Sequence, residues 1–131
     1  MRWEFHNDAP IYAQVMERVE RMIVSGTLRP GEKLPSVRGL ALEAGVNPNT
    51  VQKALTELER GGLIHSQRTA GHFITEDPAA IAAARARLGE AQTLRYLRGI
   101  RELGYTDEEA ERLLRQLLQT EGSEDHGHSD L

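Results

Sequence analysis

The chain has 131 residues, no cysteine and a formal net charge of -4. That length holds one ordinary domain or two small ones. Disulfides, thiolate metal sites and cysteine nucleophiles are excluded, and the charge argues against a protein that coats nucleic acid by bulk positive charge. Hydrophobic residues make up 39% and aromatics 5%, so a core has to rest on Leu, Val, Ile and Ala. No run approaches the roughly 18 apolar residues of a membrane span. Met1 to Asp8 hold no apolar stretch, so no signal peptide is expected and the location expected is cytoplasmic. Charge is unevenly placed, with six basic residues against four acidic ones between Arg29 and Arg68. A local balance of that kind permits contact with a limited number of phosphates.

Asp8 is expected to cap a first helix, with Pro10 in its first turn. Ile11, Val15, Val19, Met22 and Ile23 recur at helical spacing, and Gly26 stops the helix. Thr27 to Lys33 reads as a connection around the turn dipeptide Pro30-Gly31. Ser36 caps a short second helix that turns Val37, Leu40 and Ala41 inward, and Gly45 ends it. Asn47 caps a third helix with Pro48 at its first position and Val51, Ala54, Leu55 and Leu58 as its buried stripe. Gly61-Gly62 terminates it. Leu63 to Gln67 and His72 to Thr75 are β-compatible runs either side of Arg68-Thr69-Ala70-Gly71, a hairpin. Three helices and a two-stranded ribbon, with a tight Gly-containing turn between the second and third helices, is winged helix-turn-helix architecture.

Asp77 is expected to cap a fourth helix. On it Leu88, Ala91, Leu94, Leu97, Ile100 and Leu103 drift around the cylinder, the pattern of a helix covered on several sides or bent near Gly89 or Gly99. Gly104 ends it, and Thr106-Asp107-Glu108-Glu109 is a capping box for a last helix with the stripe Ala110, Leu113, Leu114, Leu117 and Leu118. Two helices alone have little core, so a second subunit is expected to cover them in a four-helix arrangement. The fold class is therefore mainly α with a small β-hairpin. The expected division is a winged helix-turn-helix domain at 1–76, a helical dimerisation domain at 77–120 and a disordered acidic tail at 121–131.

Opposite the stripe of the third helix lie Asn49, Thr50, Gln52, Lys53 and Thr56. Asn and Gln pair with adenine edges, Thr meets a thymine methyl or a phosphate, and Lys reaches phosphate or guanine. A solvated helix shows a polar outer face too, so these residues alone leave both readings open. Their neighbours add to the candidate set. Arg38, in the first turn of the second helix, is placed for a phosphate or guanine, or else for a surface ion pair with Glu43. Ser36 and Asn47 are caps first and contacts second. Arg68 and Gly71 lie in the wing tip, where exposed backbone and a cation can approach the sugar-phosphate chain.

The runs Pro10-Ile11-Tyr12-Ala13-Gln14, Gly26 to Ala41 with its Pro35-Ser36-Val37-Arg38 motif, Val46 to Leu55 and Leu58 to Ile64 resemble the N-terminal domain of GntR-family transcriptional regulators. The short helical C-terminal part resembles the YtrA subfamily. The resemblance implies a homodimer joined through its C-terminal helices and binding a double-stranded DNA operator. It also implies DNA contacts by Arg38, Asn49, Thr50 and Gln52, and one in the wing near Gly71. Pro48 stands where many members have Arg, and Thr69-Ala70-Gly71-His72 stands where the wing commonly reads Gly-x-Gly.

The function expected is that of a homodimeric repressor on a pseudo-palindromic operator, using the recognition helix 48–60 and the wing 68–72. The alternatives are a winged helix that binds protein and an enzyme, but no phosphate-binding glycine loop, metal spacing or nucleophile triad is present. No cofactor is expected. His126 and His128 with Asp125 offer a weak metal site, against a plain solvated tail. About 40 residues of helix leave little room for a pocket inside one subunit, so a small-molecule effector is expected only between subunits.

Overall fold

The computed structural model describes residues 3–129, with side chains through Gly122. The elements in order are α1 (Ile11–Val24), α2 (Val37–Ala44), α3 (Pro48–Arg60), β1 (Ile64–Gln67), β2 (Gly71–Ile74), α4 (Pro78–Glu102) and α5 (Asp107–Ser129). This is the mainly helical winged helix-turn-helix with C-terminal helices that the sequence predicts. Two compact units result, Met1–Leu88 and Gly89–Leu131. Their boundary falls inside α4, between Leu88 and Gly89. No described helix is long and apolar enough to cross a membrane.

In the first unit α1 and α2 pack against α3. Their stripes bring Val19, Ile23, Leu40, Val51 and Leu55 into one core, and Ile64 and Ile74 close it from the hairpin. Fully burying one such aliphatic side chain stabilises the fold by about 1.5–3 kcal/mol. The local signals act as read. The Gly39 N–H donates to Ser36 Oγ at 3.0 Å, and the Asn49 N–H donates to Asn47 Oδ1 at 2.8 Å. Gly45 closes α2 in the left-handed conformation at φ 72°, which costs glycine nothing. The Ala79 N–H donates to Asp77 Oδ1 at 3.0 Å at the start of α4.

Asp8 is not the cap of α1. Pro10 holds that position and no side chain caps it. Gln14 ties down the incoming chain instead, from inside the helix. Its Nε2 donates to the carbonyls of His6 and Ala9, each at 2.8 Å, and its Oε1 accepts the His6 N–H at 3.0 Å.

β1 and β2 pair antiparallel in the register Ile64↔Ile74 to Gln67↔Gly71. The segment expected to be a plain connection also pairs, on the other edge of β2. The Ile74 N–H donates to the Glu32 carbonyl and the Leu34 N–H to the His72 carbonyl, both at 2.9 Å, with a bridge between Lys33 and Phe73. β2 is thus paired on both of its edges. The first turns of α4 belong to the same unit. Ile81 and Ala84 pack on its core, and Arg87 pairs with Glu20, whose side chain is only 8% exposed.

In the second unit, α4 runs unbroken past Gly89 and Gly99, and Gly104 at φ 89° turns the chain. The capping box is reciprocal: the Thr106 N–H donates to Glu109 Oε1 at 2.9 Å and the Glu109 N–H to Thr106 Oγ1 at 3.1 Å. Those hydrogen bonds hold the Glu109 carboxyl below the usual range. Arg101 grips both oxygens of Asp107, at 2.9 and 3.1 Å, and lowers its pKa likewise. α5 continues to Ser129, past Glu121, where the sequence suggested a tail. No proline interrupts this stretch. The side chains of Asp125, His126 and His128, considered for metal, lie outside those described, as do residues 130 and 131.

Candidate nucleic-acid interface

α3 presents two faces because its apolar residues recur every three or four positions. Val51, Ala54, Leu55 and Leu58 are buried, while Asn49, Gln52, Lys53 and Thr56 are exposed and Thr50 is half-buried. Asn47 stands exposed at the helix start with its amide oxygen committed to the cap. One turn further along, the Thr56 hydroxyl donates to the Gln52 carbonyl at 2.9 Å, and Gln52 Nε2 lies 3.4 Å from Thr56 Oγ1. Lys53 does not simply extend into solvent. Its Nζ sits 4.0 Å from the centroid of the Tyr12 ring on α1, a cation–π contact that fixes the ammonium between two helices.

α2 adds Ser36 at its cap and Arg38 in its first turn. Arg38 does not take the surface pairing with Glu43, which accepts instead from Trp3 Nε1 at 3.4 Å. It shares a shallow hollow with Ala41, Leu42, Val46 and Pro48, so the start of α3 lies beside it.

In the wing the Ala70 N–H donates to the Gln67 carbonyl at 3.1 Å, closing the turn that carries exposed Arg68. Gly71 has φ 105°, and a Cβ on it would stand 3.2 Å from Cε of Lys33. Lys33 thus belongs to the wing although it lies far from the hairpin in sequence. Periodicity missed it, because one β-bridge to a distant strand leaves no repeating pattern. Tyr12 was missed as a support for the same reason, since its contact with Lys53 spans two helices. Among the described residues, Lys33, Arg38, Lys53 and Arg68 form no ion pair with a carboxylate.

A helix with amide and hydroxyl groups on its open face, an arginine on the preceding helix beside its start and a braced wing define a winged helix-turn-helix domain, the DNA-binding class of transcriptional regulators. Residues 11–74 match the model of the bacterial regulatory proteins of the gntR family. The chain is 36% identical over 81% of its length to the uncharacterized HTH-type transcriptional regulator YhcF of Bacillus subtilis (strain 168), covering 88% of that protein. It is 45% identical to the HTH-type transcriptional repressor YtrA of the same organism, over 54% of this chain and 55% of that one. Among solved structures, a GntR family transcriptional regulator from Listeria monocytogenes superposes with TM-score 0.77 at 33% identity, over 86% of this chain and 98% of that chain. The DNA-binding domain of AraR in complex with operator ORX1 superposes with TM-score 0.53 at 30% identity, over 57% of this chain and 99% of that chain. The chain belongs to the GntR family and is YtrA-like within it.

Proposed function

We propose that this regulator is a homodimeric repressor that occupies a pseudo-palindromic operator, laying α3 in the major groove and the wing along the adjacent backbone. What carries the reading is α3 itself, whose polar face is exposed while its apolar face is sealed into the core. Asn49 and Gln52 read adenine edges, Thr50 meets a thymine methyl or phosphate, and Arg38 takes a guanine or phosphate beside the start of α3. Lys53, Lys33 and Arg68 hold phosphates, the Gly71 backbone approaches the sugar-phosphate chain, and Ser36 and Asn47 fix the helix starts from which these groups project.

A second copy is needed because the helices of the C-terminal unit leave Leu94, Leu103, Leu114, Leu117 and Leu118 exposed. Two recognition helices joined in this way reach half-sites about one helical turn apart, roughly 34–36 Å. An effector, where one acts, binds between the C-terminal helices of the two subunits. The name of YtrA, a repressor, and the AraR domain bound to an operator support this reading by likeness.

Selection from random duplex DNA, followed by titration of the winner across salt, tests it. An enriched inverted repeat with a steep salt slope is expected, and Arg38→Ala and Asn49→Ala should each weaken binding by about 1–3 kcal/mol. No enrichment, or variants that bind like wild type, would refute it.

A further inference from the structure

The hollow beside Arg38 is apolar in an otherwise polar interface. Ala41 is buried, whereas Leu42 is 85% exposed. Arg38, Ala41 and Leu42 are spaced i, i+3 and i+4, so they share one face of α2. Val46, in the turn, and Pro48, the first residue of α3, complete the wall.

The only protein-facing apolar group in the major groove is the thymine 5-methyl, on the same edge as the acceptors and donors that arginine and asparagine read. We infer that this hollow reads thymine: the side chains of Leu42 and Pro48 receive the 5-methyl group of a thymine beside the base or phosphate held by Arg38. The inference rests on the operator reading above and extends it to sequence preference. Its occupant follows from continuity, because the arginine that lines the hollow and the helix that begins in it both belong to the proposed DNA-contacting face. The Pro48 side chain is carbon only, with no donor or acceptor. It cannot hydrogen-bond a base edge, so discrimination at this position has to come from shape and methyl contact.

The test uses the operator selected from random DNA. Each thymine within reach of the start of α3 is replaced singly by deoxyuridine, which removes the methyl and leaves every hydrogen-bonding group in place. Wild type should lose about fourfold in affinity at one such position in each half-site, the equivalent of about 0.8 kcal/mol for one buried carbon group. Leu42→Ala should bind the thymine operator more weakly and no longer distinguish it from the deoxyuridine operator. Leu42 is exposed, so this variant keeps the fold, and Pro48→Ala, placed where a helix tolerates alanine, gives an independent second reading. Equal affinity of wild type for both operators overturns the inference, as does a selected operator with no thymine in reach. An equal loss by Leu42→Ala on both operators overturns it too, and would make Leu42 a contact to the backbone. Failure to select any operator is a different result and refutes the operator reading itself.

Discussion

Gly71 and Lys33 show how single residues shape the wing. At φ 105° an L side chain is strained, and a Cβ there would press on Cε of Lys33 at 3.2 Å. Gly71→Ala should therefore lose more than about 1 kcal/mol of stability, because a residue forced into an unsuited backbone region loses more than it gains by stiffening the unfolded chain. Denaturant melts of the two proteins measure it, and an unchanged midpoint would mean that the wing relaxes freely. Lys33→Gln makes a different prediction. The side chain is exposed and lies outside the core, so the melt should not move. The slope of log affinity against log salt should fall by about one, as for one lost phosphate contact. A slope equal to wild type would remove Lys33 from the interface.

Helix ends were the most legible part of the sequence, and the pairing of distant segments the least. Ser36, Asn47, Asp77 and Thr106 each cap a helix within a few residues of themselves, so the signal is local and sequence displays it whole. Asp8 failed as a cap because Gln14, inside α1, satisfies the preceding chain from the other side. No local rule announces that. The strand-like pairing of residues 31–34 was hidden for a related reason, since it exists only once β2 has been brought alongside. The candidate contacts on α3 were visible as the complement of its stripe, whereas Lys33 and Tyr12 depended on tertiary neighbours. The caps also predict how stability responds to change. Ser36→Ala should cost about 1 kcal/mol by uncapping α2, seen as a lower denaturation midpoint.

At the start of α5, Asp107 and Glu109 have lowered carboxyl pKa values, Asp107 through Arg101 and Glu109 through Thr106. A depressed pKa means that the folded state binds the proton less readily than the unfolded one. Their contribution is therefore present above about pH 4, the unfolded carboxylate range, and is lost as pH falls through the folded values. Helical content followed by circular dichroism during acid titration should drop at higher pH in Asp107→Asn than in wild type. Coincident curves would show that the Arg101–Asp107 contact is only decorative.

At the scale of the whole molecule, the two units solve unlike problems with unlike surfaces. The N-terminal unit buries its leucines and valines against one another, whereas α5 buries only Ala110 among its described residues and leaves Leu114, Leu117 and Leu118 at 43%, 52% and 62% exposure. Exposed apolar surface of this kind is where the proposed homodimer would join. These leucines lie on α5, whereas the proposed DNA contacts lie on α2, α3 and the wing. In the proposed homodimer, joining two DNA-binding units would make the second contact intramolecular, raising avidity by about 10²–10⁴ without any new contact to DNA. The double variant Leu114→Glu, Leu117→Glu places charge where a partner would seat. It should sediment near the 14.6 kDa of one chain and lose roughly that factor on the full inverted repeat, while binding a single half-site as wild type does. That last comparison separates loss of the dimer from loss of the fold. A variant that still sediments as a pair would move the interface elsewhere, and a monomeric wild type with full operator affinity would remove the dimer from the mechanism.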